Sequence, residues 1–296
     1  VCLLGGGGSI PVASRALSAT IIKIAGRSIL IDCGEGTQIG LRSLHWGLTK
    51  IDLICLTHYH GDHLYGLFGL LSTIQNSGRT SPITILGPKG LDRIAECIKL
   101  LLPNLAFELI FYENPQNYLF NNLKITTLNL HHSAPCLGYA FTLERQRKFS
   151  VEKAEKLNLP KIYWSRLQKG EIIEYNNNLY EPDMVLGGER KGLKISIITD
   201  TRPTKEIPTF IENSDLFICE GMYGDDEDIE KALHTKHMTF KEAANLAKLG
   251  NVAEMVLTHF SPSLENPELF LPNAQKIFSN TIIGYEFFQK KLKFTD

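Results

Sequence analysis

The chain has 296 residues, 43% of them hydrophobic and 21% charged, with a formal net charge of −1. That apolar content excludes a disordered chain, and the length suffices for one large core or two small ones. Near neutrality excludes a protein coated in basic residues, and no apolar run approaches the ~18 residues of a membrane helix.

The chain opens on a short apolar piece followed by four glycines, without a basic lead or a long apolar stretch. This reads as a strand near the natural start of the chain, not a secretory signal. Residues 20–24 and 28–32 read as strands flanking Gly26-Arg27, a hairpin signal. Residues 51–57 form an almost continuous apolar run, as expected of a strand buried on both faces. Residues 64–74 predict an apolar helix, 81–86 a strand stopped by Gly87-Pro88, and 91–102 a helix. Residues 122–130 predict a strand ending at His131-His132. From about 149 to 188 the chain is polar, with three consecutive asparagines, and reads as an inserted arm or long hairpin rather than core. Strands over 194–199, 215–219 and 252–258 end at Asp200, Glu220 and His259. Thr239-x-x-Glu242 is a capping-box signature opening a helix closed by Gly250. The two halves share this grammar. They predict an α/β protein, with two sheets packed together under outer helices; one doubly wound sheet is the alternative.

The six cysteines lie far apart with no C-x-x-C pair, and most have apolar neighbours. They read as buried, reduced thiols of a cytoplasmic protein rather than a disulfide framework. Between Glu144 and Lys169, eight Lys/Arg and three Glu give a local excess of five positive charges, with Tyr163 and Trp164 among them. Such a patch is a solvated face or a phosphate-binding one.

The histidines concentrate the chemistry. Thr57-His58-Tyr59-His60-Gly61-Asp62-His63 follows the buried strand directly. Residues two apart in extended chain point the same way, so His58 and His60 project to one side. Gly61 permits a turn that brings Asp62 and His63 to the same point. Imidazoles and carboxylates are the usual donors to zinc and similar ions. Four donors in one segment exceed the needs of a single catalytic ion and suit two adjacent ones. His132, Asp200 and His259, each just past a strand, are candidates to complete the set, because strand ends converge at one sheet edge.

The run THYHGDH resembles the histidine motif of the metallo-β-lactamase superfamily, and the rest resembles its ribonuclease Z branch. LLGGGGSIP, DCGEGTQ, LGPKG, HHSAPCLGYAF, TDTRP, ICEG, HMTFKEAA and LTHFS follow that family's pattern in order over nearly the whole chain. The resemblance implies a four-layer αββα sandwich, residues 1–296 as one domain, with residues 149–190 an inserted RNA-gripping arm. It implies one ion on His58, His60 and His132, a second on Asp62, His63 and His259, and Asp200 as bridge. It further implies His237, oriented by Glu220, as general acid, and Asp62 as the group that orients or deprotonates water. Arg15, Lys161, Arg166 and Lys169 become candidate substrate contacts.

The implied activity is removal of the 3′ trailer of precursor tRNA by hydroxide generated between two zinc ions, with manganese the other candidate metal, in a cytoplasmic homodimer without a membrane. Departures from the family pattern fall in substrate-handling loops: Ala13 and Ala16 near Arg15, Lys161-Ile162 after Pro160, Met238 after His237, and Pro262-Ser263 after Ser261. They leave a phosphodiesterase for small or cyclic esters, and more remotely a thioesterase or lactonase, as alternatives. A non-enzymatic RNA-binding relic would have lost ligands, and none is missing. No G-x-S-x-G or P-loop is present.

Overall fold

A computed structural model of the chain describes residues 1–295. Six strands form the first sheet in chain order: β1 (Cys2–Gly5), β2 (Ala19–Ile24), β3 (Arg27–Ile31), β4 (Ile51–Cys55), β5 (Ile83–Gly87) and β6 (Leu109–Glu113). The first three pair antiparallel and the last four parallel. The second sheet begins with β7 (Asn117–Phe120), β8 (Leu123–Asn129) and β9 (Leu137–Arg145). A hairpin of β10 (Ile173–Tyr175) and β11 (Asn178–Tyr180) stands apart. β12 (Arg190–Ile198), β13 (Leu216–Glu220), β14 (Met255–Thr258) and β15 (Thr281–Ile283) then complete the second sheet, in the order β15-β14-β13-β12-β9-β8-β7.

Alternation along the strands builds the layers. Leu30 and Ile54 pack with Leu41 of α1 (Thr37–Leu44), then with Leu67, Leu70 and Leu71 of the helix over residues 66–76, and with Ile98 of the helix over 91–101. Phe217, Cys219, Met255 and Leu257 pack with the helices over 207–211, 240–249 and 271–275. The alternate residues Ile29, Ile31, Leu53, Leu216, Ile218 and Val256 are equally buried but belong to neither cluster, so they meet between the sheets. Tyr139 of the second sheet donates its hydroxyl to the Leu56 carbonyl at the end of the first, at 2.8 Å. This is the four-layer αββα sandwich, and the single doubly wound sheet is set aside.

Several elements differ from the sequence reading. The hairpin turn is Ala25-Gly26, both at positive φ, because Ile24 pairs with Arg27. The helix expected over 64–74 is two: α2 (Gly61–Leu64) and α3 (Gly66–Asn76). Gly66 lies so close to the Gly34 carbonyl that a Cβ would come within 2.0 Å of it. β6, β7, β9 and β15 lie outside the strands read from the sequence; β6 and β7 are partly exposed edges whose residues, LIFYE and NYLF, show no apolar–polar alternation. Five cysteines are buried, and Cys97 is exposed on α4 (Leu91–Leu101). No disulfide joins any of the six.

The chain divides into two compact units, the second comprising residues 143–193 with the C-terminal residues from Lys293. That unit is more than a hairpin. α5 (Val151–Lys156), capped by Ser150, and α6 (Trp164–Gln168) enclose a small core of Ala154, Leu159, Leu167, Ile173, Val185 and Leu186. Asn176 and Asn177 turn its β10–β11 hairpin at positive φ, as the asparagine run allows. Phe149 and Trp164 pack their rings 5.4 Å apart. Among the described residues no helix is long and apolar enough to cross a membrane.

Candidate metal centre

β4 delivers the chain at Leu56-Thr57 into the histidine run. His60 is extended at the N-terminus of α2, so Asp62 and His63 ride on its first turn. β12, β13 and β14 are parallel, which places Asp200, Glu220 and His259 at one edge of the second sheet. His259 turns out of β14 in a left-handed conformation, φ 58°. The glycine loop packs against it: the Gly8 N–H donates to the Phe260 carbonyl at 3.0 Å, the Phe260 N–H to the Gly6 carbonyl at 2.9 Å, and a Cβ on Gly8 would meet the His259 Nε2 at 2.7 Å.

The structure gathers two sets of donor atoms, each set within 4.8 Å: His58, His60, His132 and Asp200, and Asp62, His63, Asp200 and His259. His58 Nε2 lies 3.0 Å from His60 Nδ1 and 3.5 Å from Asp200 Oδ2; His132 Nε2 is 3.3 Å from His60 Nδ1. On the other side His63 and His259 bring their Nε2 atoms to 3.3 and 3.2 Å from Asp200 Oδ1, and His63 Nε2 is 3.4 Å from Asp62 Oδ2. Asp200 thus presents one oxygen to each set. His132 is buried, while its neighbour His131 is exposed and pairs its backbone with Arg202.

The outer nitrogens explain the aim of the inner ones. His63 Nδ1 donates to Asp32 at 2.7 Å, His259 Nδ1 to Ser18 Oγ at 2.8 Å, His58 Nδ1 to Thr57 Oγ1 at 3.1 Å and His132 Nδ1 to the Lys236 carbonyl at 3.2 Å. A ring whose Nδ1 carries the proton keeps an Nε2 lone pair for the centre. His60 is turned the other way, with Nδ1 inward.

The residues fit a cation. His63 Nε2, His259 Nε2 and Asp200 Oδ1 are buried without hydrogen-bond partners, and all three face one point. Each such orphan costs about 1–3 kcal/mol unless something satisfies it. Burial pushes the His58 and His132 imidazoles down, so their lone pairs stand free. Burial opposes charge on His63 too, yet the carboxylates of Asp200 and Asp32 outweigh it and hold that imidazole well above its ordinary value. A pocket that draws a proton onto a fully buried ring has negative charge to share with a metal.

Beside this cluster, Glu220 receives His237 Nδ1 at 3.1 Å and the backbone N–H of Met238 at 3.0 Å. Burial would lower the His237 imidazole, but the Glu220 carboxylate, with Asp200 and Asp62 beyond, holds it up at about 9. Its Nε2 is 3.9 Å from Asp200 Oδ2. The His60, His132 and His237 rings and the Asp62 and Asp200 carboxylates open onto a cleft of about 360 Å³, which Ser9 also lines. Ser9, itself at positive φ, donates its N–H to Asp62 Oδ2 at 2.7 Å.

The candidate substrate contacts lie elsewhere. Arg15 donates to the backbone carbonyls of Ser261 at 3.2 Å and Leu264 at 2.9 Å and stacks on Phe260, so it ties the glycine loop to the segment after β14. Lys161 lies over the Trp164 ring, Arg166 pairs with Glu171 at 2.7 Å, and Lys169 is exposed, all in the second unit. Asp32, Ser18 and Ser9 were not singled out from the sequence. Asp32 sits inside DCGEGTQ at φ 57°, a conformation no local pattern announces.

Residues 15–93 match the profile of the Metallo-beta-lactamase superfamily. Over 300 residues the chain is 53% identical to the protein named Ribonuclease Z of Clostridioides difficile (strain 630), covering 99% of this chain and 98% of that one. It is 51% identical over 312 residues to Ribonuclease Z of Clostridium botulinum (strain Alaska E43 / Type E3), covering 100% and 99%. Among solved structures it resembles the short form of human tRNase Z, with a TM-score of 0.68, 25% identity, and 97% and 96% of the two chains covered.

Proposed function

The chain belongs to the ribonuclease Z family of metal-dependent hydrolases, and we propose that it cuts the 3′ trailer from precursor tRNA as an endoribonuclease. One observation carries this reading: donors from four separate stretches of chain meet in two sets that share the Asp200 carboxylate. His58, His60 and His132 would hold one ion, Asp62, His63 and His259 the other, with Asp200 between them. Zinc is the metal assigned, since five of these seven donors are imidazoles, and manganese is the competing one. Two such ions supply an acidified water and a clamp for the phosphodiester when bound.

The protein's own groups do the rest. Asp62, held by the Ser9 N–H, orients the attacking water and takes its proton. His237 is kept protonated by Glu220 and donates from Nε2 to the leaving ribose oxygen. Residues 149–190 serve as the RNA-gripping arm: Lys161, Arg166 and Lys169 lie exposed there and attract phosphates without reading sequence. Six unbridged thiols favour a cytoplasmic location, and the family resemblance favours a homodimer.

The test compares a precursor tRNA with bis(p-nitrophenyl) phosphate, with and without chelator. Cleavage at the 3′ side of the tRNA, lost on chelation and restored by zinc, supports the reading. Hydrolysis of the small ester alone would make the protein a small-molecule phosphodiesterase. Indifference to a chelator would end the metal assignment.

A further inference from the structure

Arg202 lies two residues beyond Asp200, and its guanidinium is only 12% exposed. It turns away from the cleft. Both terminal nitrogens fork onto the Glu242 carboxylate, one at 2.9 Å, and one of them also donates to the carbonyl of His237. Glu242 in turn caps α9 (Phe240–Leu249) by accepting the Thr239 N–H at 3.0 Å. The other end of the same peptide unit, the Met238 N–H, is taken by Glu220 at 3.0 Å. The plane between His237 and Met238 is therefore pinned at its oxygen by Arg202 and at its nitrogen by Glu220. Glu220 is itself anchored to the Arg202 loop through the Thr201 N–H at 2.7 Å. Lys236, just before His237, ends α8 (Ile229–Thr235) in a left-handed conformation; the Ala232 carbonyl takes the His237 N–H at 3.0 Å, and Arg202 and Glu220 fix the peptide that follows.

We propose that Arg202 is a positioning residue for proton transfer: by clamping the His237 carbonyl it fixes the direction in which the imidazole Nε2 faces the leaving oxygen. Its charge is committed to Glu242, so it holds geometry and binds no phosphate. The proposal rests on His237 as general acid and makes it specific. Proton donation matters in proportion to the basicity of the leaving group. A ribose oxygen needs the proton; a nitrophenolate leaves without it. A defect in acid alignment therefore spares bis(p-nitrophenyl) phosphate, whereas a defect in folding or metal binding harms both substrates.

The experiment measures kcat and KM of Arg202→Ala, Arg202→Lys, His237→Ala and the Arg202→Ala/His237→Ala double variant on precursor tRNA and on bis(p-nitrophenyl) phosphate, with bound metal determined in each. His237→Ala loses about 10²–10⁴-fold in kcat on tRNA and far less on the aryl ester. Arg202→Ala loses at least ~10-fold in kcat on tRNA with KM little changed, spares the aryl ester and keeps its metal. Arg202→Lys, with one charge but no fork, falls between. The double variant is no slower than His237→Ala, since both act on one step. Equal losses on the two substrates, or multiplying losses in the double variant, overturn the positioning role. If His237→Ala itself harms both substrates equally, the general-acid assignment fails instead, whatever Arg202→Ala does.

Discussion

Asp32 Oδ2 receives His63 Nδ1 at 2.7 Å, and the other Asp32 oxygen takes the Thr57 N–H at the same distance. One carboxylate thereby locks the ring of a proposed ligand to the strand end that launches the histidine run. Asp32 holds this place from a left-handed conformation that asparagine also tolerates. Asp32→Asn keeps the backbone and removes the charge. It is expected to weaken metal affinity about 10–100-fold, measured by competition with a chromophoric chelator. Unchanged affinity would show that the charge behind His63 is irrelevant.

His60 is the one imidazole that faces the centre through Nδ1, within 3.3 Å of both His58 Nε2 and His132 Nε2. His60→Ala is expected to abolish hydrolysis of both substrates and to lower bound metal, read by elemental analysis of the purified variant. Full activity would refute its place among the ligands.

Glu220 is the group that keeps the His237 imidazole protonated up to about 9. The protonated ring is the active form, so activity fades as pH rises through its pKa. Glu220→Gln removes the holding charge, and that pKa falls. The alkaline limb of kcat for precursor tRNA is therefore expected to move to lower pH. The same profile measured with bis(p-nitrophenyl) phosphate should keep its alkaline limb in place. A limb that does not move for tRNA would detach Glu220 from the proton transfer.

The second unit tests separately. Phe149 bridges Leu186, and the Gly187 N–H reaches the Lys148 carbonyl at 2.7 Å, so the ends of the arm are close enough for a short linker. Replacing residues 149–190 by a few glycines is expected to impair precursor tRNA cleavage, chiefly through KM, and to leave bis(p-nitrophenyl) phosphate hydrolysed. Equal loss of both would make the unit structural.

Much of the centre was legible because its chemistry is local. His58, His60, Asp62 and His63 occupy six residues behind one apolar strand, and a strand followed by a glycine turn has few ways to dispose of them. Asp200, Glu220 and His259 were legible as polar residues terminating apolar runs. The edges β6 and β7 were not, since their residues, LIFYE and NYLF, do not alternate apolar with polar even where their exposure does. The arm reads as a polar hairpin because the buried residues of its core are six, spread over more than thirty positions, and the aromatics that pack on them stay partly exposed. The hairpin turn sits one residue earlier than Gly26-Arg27, since Gly26 serves equally well as its first or second position and only the Ile24–Arg27 pairing decides.

The amino-acid order alone determined an α/β protein, the glycine loop and the inventory of donors, because hydrophobic period and residue chemistry act over a few neighbouring positions; two packed sheets rather than one doubly wound sheet were settled by the strand pairing. Only the tertiary structure decided which nitrogen of each ring faces inward, that Asp200 offers one oxygen to each set, and that Arg202 grips the carbonyl of His237 rather than a substrate. Those outcomes depend on hydrogen bonds between residues tens to hundreds of positions apart, and on left-handed backbone at Asp32 and His259 that the surrounding packing imposes.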